Sequence, residues 1–179
     1  MTKSAETAHD LVVFGATSFV GQILTRYLLE TYGVGKSVKW AIAGRSESKL
    51  NALKSELGDN GKDLPVILAD ASDEAALKSM CEQTRVIIST VGPYALYGEP
   101  LVQACVRSGT DYCDLTGEVQ WIGKMVQRYE EEAKASGARI VHCCGFDSIP
   151  SDMGVWFLQN QAEQTFGEPC RDVRMRVKT

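Results

Sequence analysis

Residues 11–21, LVVFGATSFVG, decide the fold class of this 179-residue chain. They open with an unbroken apolar run, which is typical of a parallel strand covered on both faces. Gly15 then permits a tight turn, and Gly21 lets a following helix lie close to the strand. Because the first N–H groups of a helix have no partner within it, they favour a bound phosphate. The stretch therefore predicts the strand, turn and helix that open a dinucleotide-binding unit.

The spacing of this turn is looser than the GxGxxG fingerprint, because Thr17 stands where that fingerprint has its second glycine. The middle position of the looser GxxGxxG form is Ser18. We expect its hydroxyl either to cap the helix or to bind the phosphate. A strand, turn and helix without any ligand is the alternative, and the motif alone does not exclude it.

A second predicted strand, residues 38–43 (VKWAIA), ends in Gly44, Arg45 and Ser46. In a Rossmann unit the residue at this position meets the adenosine ribose: an acidic side chain selects NAD, whereas arginine accommodates the 2′-phosphate of NADP. A guanidinium stays charged and presents a planar fork to phosphate oxygens. Arg45 therefore favours NADP(H), with a solvated residue at the start of a helix as the alternative.

Composition excludes several classes of protein. The net charge is −4, and no basic stripe with interleaved aromatics occurs, which argues against nucleic-acid binding. The longest apolar runs have the length of strands, so we expect no membrane span. A polar N-terminus that lacks a signal-peptide core predicts a cytoplasmic protein. Six cysteines without CxxC pairing, and only two histidines, predict reduced thiols and no metal site.

Strands and helices alternate along the whole chain, which predicts an α/β fold: a Rossmann-type, doubly wound, mainly parallel sheet in a three-layer αβα arrangement. We expect a flexible N-terminus (1–9), the Rossmann domain (10–168) and the start of a missing substrate domain (169–179). Further strands are predicted at 65–69, 85–91, 111–115, 139–143 and 173–178. Further helices are predicted at 46–57, from about 73, 99–107, 119–136 and 152–165.

Three loops that follow predicted strands carry the remaining chemistry, and in an open α/β sheet they should face the same crevice as Gly15. The first, residues 89–100, offers Gly92 and tyrosine hydroxyls, with simple turning and packing as the equal alternative. The other two bring Asp114, Glu118 and Asp147 to one region as substrate-side candidates. Capping and turn roles are natural for each of these carboxylates and are favoured for each taken singly. His142, which precedes the third loop, is interpreted as a core histidine.

Five ordered motifs give the chain a resemblance to a known family: VVFGATSFVGQ, WAIAGRSESKL, STVGPYALYGEPLVQAC, GTDYCDLTGE and IVHCCGFDSIPSD. Together they resemble the amino-terminal half of the saccharopine dehydrogenase-like oxidoreductases. Within that family they are most similar to the branch of the trans-acting enoyl reductases of bacterial lipid biosynthesis. The similarity extends over about residues 11–154.

The resemblance implies an NADP(H)-binding Rossmann domain that belongs to an enzyme of about twice this length. It implies that Arg45, with Ser46 beside it, contacts the 2′-phosphate, and that Gly92 and Pro93 lie beside the nicotinamide half of the cofactor. It also implies Tyr94 as the first candidate for a proton donor in an enoyl reductase-type hydride transfer. The phosphate loop that it implies consists of Gly15, Ala16, Thr17, Ser18, Phe19 and Gly21.

The sequence leaves two functions open. The favoured one is an NADP(H)-dependent oxidoreductase in lipid metabolism, acting on a small-molecule or acyl substrate and represented here by its cofactor-binding half. The alternative is a non-catalytic NADP(H)-binding sensor, since no catalytic base is compelling. The lack of a basic amphipathic helix argues against a scaffold on lipid surfaces. Homo-oligomerisation stays open.

Overall fold

A computed structural model describes residues 7–177 and places six parallel strands in one sheet. The order across the sheet is β3-β2-β1-β4-β5-β6, which confirms the predicted doubly wound α/β fold. The strands are β1 His9–Phe14, β2 Trp40–Gly44, β3 Val66–Leu68, β4 Thr84–Ser89, β5 Asp111–Asp114 and β6 Ile140–Val141.

Helices connect the strands and cover both faces of the sheet. They are α1 Phe19–Tyr32, α2 Glu47–Glu56, α3 Glu74–Glu82, α4 Tyr94–Tyr97, α5 Glu99–Ser108, α6 Val119–Ser136 and α7 Ile149–Phe166, with a 3-10 turn at Gly58–Gly61. Side chains of α1 and α2 pack with Val13 and Ile42 on one face. Side chains of α3, α5 and α6 pack with Val12 and Ile87 on the other. Both surfaces of the central strands are therefore buried, as their apolar sequences predict.

The winding of the chain places a crevice at the carboxyl edge of the sheet. From β1 the chain moves outward to β2 and β3, and then crosses back so that β4 pairs with the opposite edge of β1. Phe14, the last residue of β1, is in register with Ser89, the last residue of β4. The loops that leave these two strands diverge at this switch point, where open α/β sheets bind their ligands.

Two predicted elements differ from the structure at its C-terminal end. The strand predicted at 173–178 is wrong over 173–177, which have no regular secondary structure; residue 178 lies outside the described range. A strand needs a neighbour to satisfy its N–H and C=O groups, and the apolar alternation of this segment does not supply one. The preceding helix α7 begins at Ile149 rather than 152.

Two shorter elements were predicted as loops. Residues 58–61 form the 3-10 turn, and α4 forms directly after Pro93. At the N-terminus the flexible segment was predicted over 1–9, but His9 already belongs to β1, and residues 1–6 lie outside the described range.

Within residues 7–177, no helix combines the length and apolar character that crossing a membrane requires.

Candidate dinucleotide site

The turn after β1 has the backbone geometry that its glycines predict. Gly15 has φ +87°, a left-handed conformation that disfavours residues with a Cβ. A Cβ at this position would also lie 2.7 Å from Val91 Cγ2 and 2.8 Å from Thr90 Oγ1. Gly15 thus serves both the turn and the close packing of β1 against the loop after β4.

Gly21 brings α1 close to the end of β1. A Cβ there would lie 2.2 Å from the Gly15 carbonyl oxygen and 2.8 Å from Ala16 Cα, distances that real side chains do not reach. The Thr25 hydroxyl, one turn further along, donates to the Gly21 carbonyl at 2.7 Å. The first turn of α1 therefore lies directly over the backbone of the glycine turn.

Ser18 caps α1, which is one of the two roles predicted for its hydroxyl. Its Oγ accepts a hydrogen bond from Gly21 N–H at 3.0 Å and lies 2.9 Å from the Thr90 hydroxyl. Thr90 Oγ1 is also 2.9 Å from the Gly15 carbonyl oxygen. Thr90, to which no sequence motif pointed, thus ties the loop after β4 to the glycine turn.

Unpaired backbone donors lie at the start of α1. Within residues 7–177, the N–H groups of Thr17, Phe19 and Val20 donate to no protein acceptor. The Phe19 side chain above them is 81% exposed, so this end of the helix is open to solvent. Free N–H groups at the positive end of a helix favour a bound phosphate, so the start of this 14-residue helix is a candidate phosphate site.

Arg45 lies where the sequence predicts it, one residue beyond β2 and exposed at the carboxyl edge. Ser46 does not face the crevice as a free hydroxyl: its Oγ caps α2 by accepting from Lys49 N–H at 3.4 Å and lies 3.1 Å from Ser48 Oγ. The exposed Arg45 guanidinium is therefore a candidate phosphate contact at this strand end, whereas the Ser46 hydroxyl is engaged.

Asp70 is a neighbour of Arg45 that was not among the predicted site residues. It follows β3, and its carboxylate accepts bonds from the Ser72 hydroxyl at 2.7 Å and the Ser72 N–H at 2.9 Å. These bonds, with a smaller contribution from the Arg45 charge, lower the pKa of the Asp70 carboxyl. The signal for it was available, since Asp70 follows a predicted strand as Arg45 does.

In the loop after β4, Gly92 and Pro93 are exposed and are joined by a cis peptide bond. Behind them, the Glu118 carboxylate accepts hydrogen bonds from Tyr94 N–H at 2.7 Å and Ala95 N–H at 2.8 Å. This arrangement caps the short helix α4, and it engages both oxygens of Glu118 with backbone rather than with the crevice.

Tyr94 is 5% exposed and packs against Trp121 of α6, with 5.6 Å between ring centroids. Its hydroxyl donates to the Ser89 carbonyl oxygen at 2.9 Å, and Leu115 N–H lies 3.5 Å from the same hydroxyl. Burial raises the pKa of Tyr94 far above the usual value for tyrosine. The ring lies beneath the loop of Gly92 and Pro93, and its role as proton donor stays a prediction.

Asp114 lies at the end of β5 and is fully buried at its side chain. Its Oδ1 accepts from the N–H groups of Thr116 and Cys143, each at 3.1 Å. Its Oδ2 accepts from the Tyr112 hydroxyl at 2.9 Å and lies 2.7 Å from His142 Nδ1. The carboxylate therefore organises the protein around it, and its predicted substrate-side role stays a prediction.

The structure does not bring the three candidate carboxylates into one cluster that faces solvent. Asp114 is buried, Glu118 caps α4, and Asp147 is exposed on the loop after β6. His142 is buried between Trp121 and Tyr112, as its interpretation as a core residue predicts. Over residues 7–177 the cysteines form no disulfide, and no three His, Cys, Asp or Glu side chains gather as metal ligands would.

The parallel sheet, the glycine turn at its switch point and the open start of α1 together define a Rossmann-type dinucleotide-binding domain. Residues 11–141 match the family described as the saccharopine dehydrogenase NADP binding domain. The chain belongs to this family, and NADP(H) is accordingly its cofactor.

Relatives in mycobacteria extend this similarity beyond the matched region. The chain is 44% identical over 167 residues to the trans-acting enoyl reductase of Mycobacterium tuberculosis H37Rv, covering 93% of this chain and 39% of that protein. It is 43% identical over 162 residues to the trans-acting enoyl reductase of Mycobacterium leprae, covering 90% and 38%. The chain therefore spans about 39% of the length of such curated relatives.

Solved structures show the same fold at low sequence identity. Apo saccharopine dehydrogenase (L-Glu forming) of Saccharomyces cerevisiae superposes with a TM-score of 0.70 at 18% identity, over 87% of this chain and 32% of that one. An NADPH-dependent quinone oxidoreductase of Escherichia coli, in complex with NADPH, superposes with a TM-score of 0.52 at 20% identity, over 74% and 47%. Both comparisons support the Rossmann architecture.

Proposed function

We propose that this chain is the cofactor-binding part of an NADPH-dependent oxidoreductase of the enoyl reductase type that acts in lipid metabolism. The observation that carries the proposal is the pairing of two anion sites at one carboxyl edge. The unpaired N–H groups at the start of α1 would hold the pyrophosphate, and Arg45 beyond β2 would hold the 2′-phosphate. The names of the mycobacterial relatives support the reaction class.

The bound cofactor would supply a hydride to the β-carbon of an α,β-unsaturated acyl substrate, and a proton would complete the reduction at the α-carbon. The contribution of this chain is to hold the dinucleotide in one orientation. Gly92 and Pro93 are exposed on the neighbouring strand end and would flank its nicotinamide half. Glu118 and Tyr94 fix this loop from below.

The cofactor assignment is tested by calorimetric titration of the chain with NADPH and NADH. The Arg45→Ala variant should lose about 10-fold to 100-fold in NADPH affinity, the range of a lost charge-assisted contact, and little in NADH affinity. Arg85→Ala is the matched control, because Arg85 is exposed on β4 and pairs with Asp10 at 3.4 Å, near the opposite edge of the sheet. An equal loss for both nucleotides would contradict the 2′-phosphate role of Arg45.

The reductase class is tested by following NADPH oxidation at 340 nm with α,β-unsaturated acyl thioesters. The assay uses this chain together with the further segments that its longer relatives carry. Tyr94→Phe should lower turnover and leave NADPH affinity nearly unchanged if Tyr94 supplies the proton. Unchanged turnover would remove Tyr94 from that role.

A non-catalytic NADP(H) sensor is the second candidate, and one observation favours it: the Tyr94 hydroxyl already donates to the Ser89 carbonyl. A sensor would bind NADPH with the same dependence on Arg45 and would oxidise none of it with any acyl substrate. The two assays together therefore separate the two functions.

A further inference from the structure

A cavity of about 430 Å³ lies between α6 and the edge strand β6, apart from the glycine turn. Most of its wall is apolar and comes from Val102, Met125, Ala133 and Ile140. His142 also lines it and is the residue that connects it to the buried Asp114. This volume falls in the range of pockets that hold small molecules.

The Asp114 carboxylate fixes which nitrogen of His142 carries a proton. Its two oxygens accept from Thr116 N–H, Cys143 N–H and the Tyr112 hydroxyl, so the group serves as an ionised acceptor. His142 Nδ1 lies 2.7 Å from Oδ2 of this acceptor and must therefore donate its hydrogen. In the neutral ring, Nε2 is then left with a lone pair.

No group among residues 7–177 bonds that second nitrogen, although the His142 side chain is only 8% exposed. The bond to Asp114 and two aromatic contacts position the ring. Trp121 and Tyr112 pack edge-on against it, with centroids at 5.1 and 5.9 Å. The cavity thus combines apolar walls with one fixed hydrogen-bond acceptor that lacks a donor.

The charged side chains that line the cavity neutralise one another as an ion pair. Glu130 and Lys134 line it, and they form an ion pair with 3.0 Å between Lys134 Nζ and Glu130 Oε1. Tyr129, a third polar residue in the wall, has its hydroxyl engaged by Glu99 at 2.9 Å. A charged ligand would find no unpaired counter-charge in this wall.

We propose that this cavity is a binding site for a small, uncharged apolar molecule that carries one hydroxyl, which donates to His142 Nε2. A single aromatic ring is well within the available volume, since a cavity of about 150 Å³ already holds benzene. The site uses none of the phosphate-loop residues, so it does not depend on the proposed cofactor chemistry.

Phenol and toluene are the matched probes, because they have nearly the same size and shape and only phenol can donate. We expect both to shift the NMR signal of the Met125 methyl group, with phenol binding about 5-fold or more tightly, as one added hydrogen bond implies. The Met80 methyl, buried on α3 and outside the cavity wall, is the internal reference and should not shift. Equal affinities, or the lack of a saturable shift at Met125, would overturn the proposal.

Two variants test where phenol binds, and neither changes Asp114. Ala133→Leu should fill the cavity and abolish the phenol-dependent shift, whereas Ala135→Leu, an exposed change on the same helix, should preserve it. Persistent binding in Ala133→Leu would place phenol elsewhere and refute the site. A ¹⁵N spectrum of the His142 ring in the unaltered chain supplies an independent check, since a proton on Nε2 rather than Nδ1 in the neutral ring would remove the acceptor.

Discussion

The hydroxyl oxygens of Ser18 and Thr90 lie 2.9 Å apart, although 72 residues separate them in the chain. Ser18 caps α1, and Thr90 also donates to the Gly15 carbonyl oxygen. This contact joins the proposed phosphate loop to the loop beside the proposed nicotinamide position. It connects the two halves of the candidate site directly.

Thr90→Val keeps the shape of this side chain and removes its hydroxyl. We expect the free energy of unfolding to fall by about 1–3 kcal/mol, because the buried bonds to the Gly15 carbonyl and Ser18 are lost. NADPH affinity should fall as well, since the glycine turn loses its side-chain contact with the loop after β4. Urea unfolding and calorimetry measure both effects. Thr31→Val, an exposed change in α1, is the control and should alter neither quantity.

Gly21→Ala tests the close approach of α1 to the glycine turn. The added methyl would meet the Gly15 carbonyl oxygen at 2.2 Å, so α1 must shift and the unpaired N–H groups must move with it. We expect a loss of about 1–3 kcal/mol in stability from overpacking, together with loss of NADPH binding.

Gly123→Ala is the matched control for that change, because Gly123 is also helical and a Cβ there meets nothing within 4 Å. It should raise the free energy of unfolding by about 0.5–1 kcal/mol through helix propensity. If both variants behaved alike, the steric argument for Gly21 would fail.

The sequence allowed accurate prediction where the signals are local. The apolar run and glycines of residues 11–21 predict a strand, turn and helix by themselves, and the end of β2 places Arg45 at the carboxyl edge. The third helix was likewise predicted from about residue 73, with Asp73 or Ser72 as its cap, and the Asp73 carboxylate accepts from Ala76 N–H at 3.0 Å. Each of these features depends on residues that are close together in the chain.

Contacts between distant segments were beyond the reach of such patterns. Nothing near Asp114 in the sequence indicates that His142, 28 residues later, will lie against its carboxylate. The sequence pattern places Asp114 and His142 at the ends of two strands, but it does not say that these strands are neighbours. Only the pairing of β5 with β6 brings the two side chains together. The prediction of a strand over 173–177 was wrong for the same reason, because a strand exists only where another strand pairs with it.

Glu118 offers a test of the cap beneath the loop of Gly92 and Pro93. Glu118→Ala should lower the free energy of unfolding by about 1.5–3 kcal/mol, because two N–H groups, of Tyr94 and Ala95, lose a charged acceptor. Glu118→Gln retains an acceptor oxygen and should lose less. Glu131→Gln, an exposed change on α6, is the control for removing one negative charge. If all three variants lost the same unfolding free energy of about 1.5–3 kcal/mol, net charge rather than capping would be responsible.

Two buried tyrosines predict a decline in stability at alkaline pH. Burial raises the pKa of both Tyr112 and Tyr94 above 10, with a further contribution from the nearby Asp114 charge. The native chain therefore keeps these protons above pH 10, whereas the unfolded chain releases them. Stability should be fully present below pH 10 and should fall as pH rises further, by about 1.4 kcal/mol per pH unit for Tyr112.

Urea unfolding at pH 9, 10 and 11, with tyrosinate absorbance at 295 nm, measures this slope. Tyr112→Phe should make the decline above pH 10 less steep, although its stability at neutral pH also falls because Asp114 loses a donor. Tyr27→Phe changes an exposed ring on α1 and should keep the slope of the unaltered chain. If the slope were the same with and without the Tyr112 hydroxyl, that phenol would be releasing its proton in the native protein, and the buried bond to Asp114 could not have the geometry described.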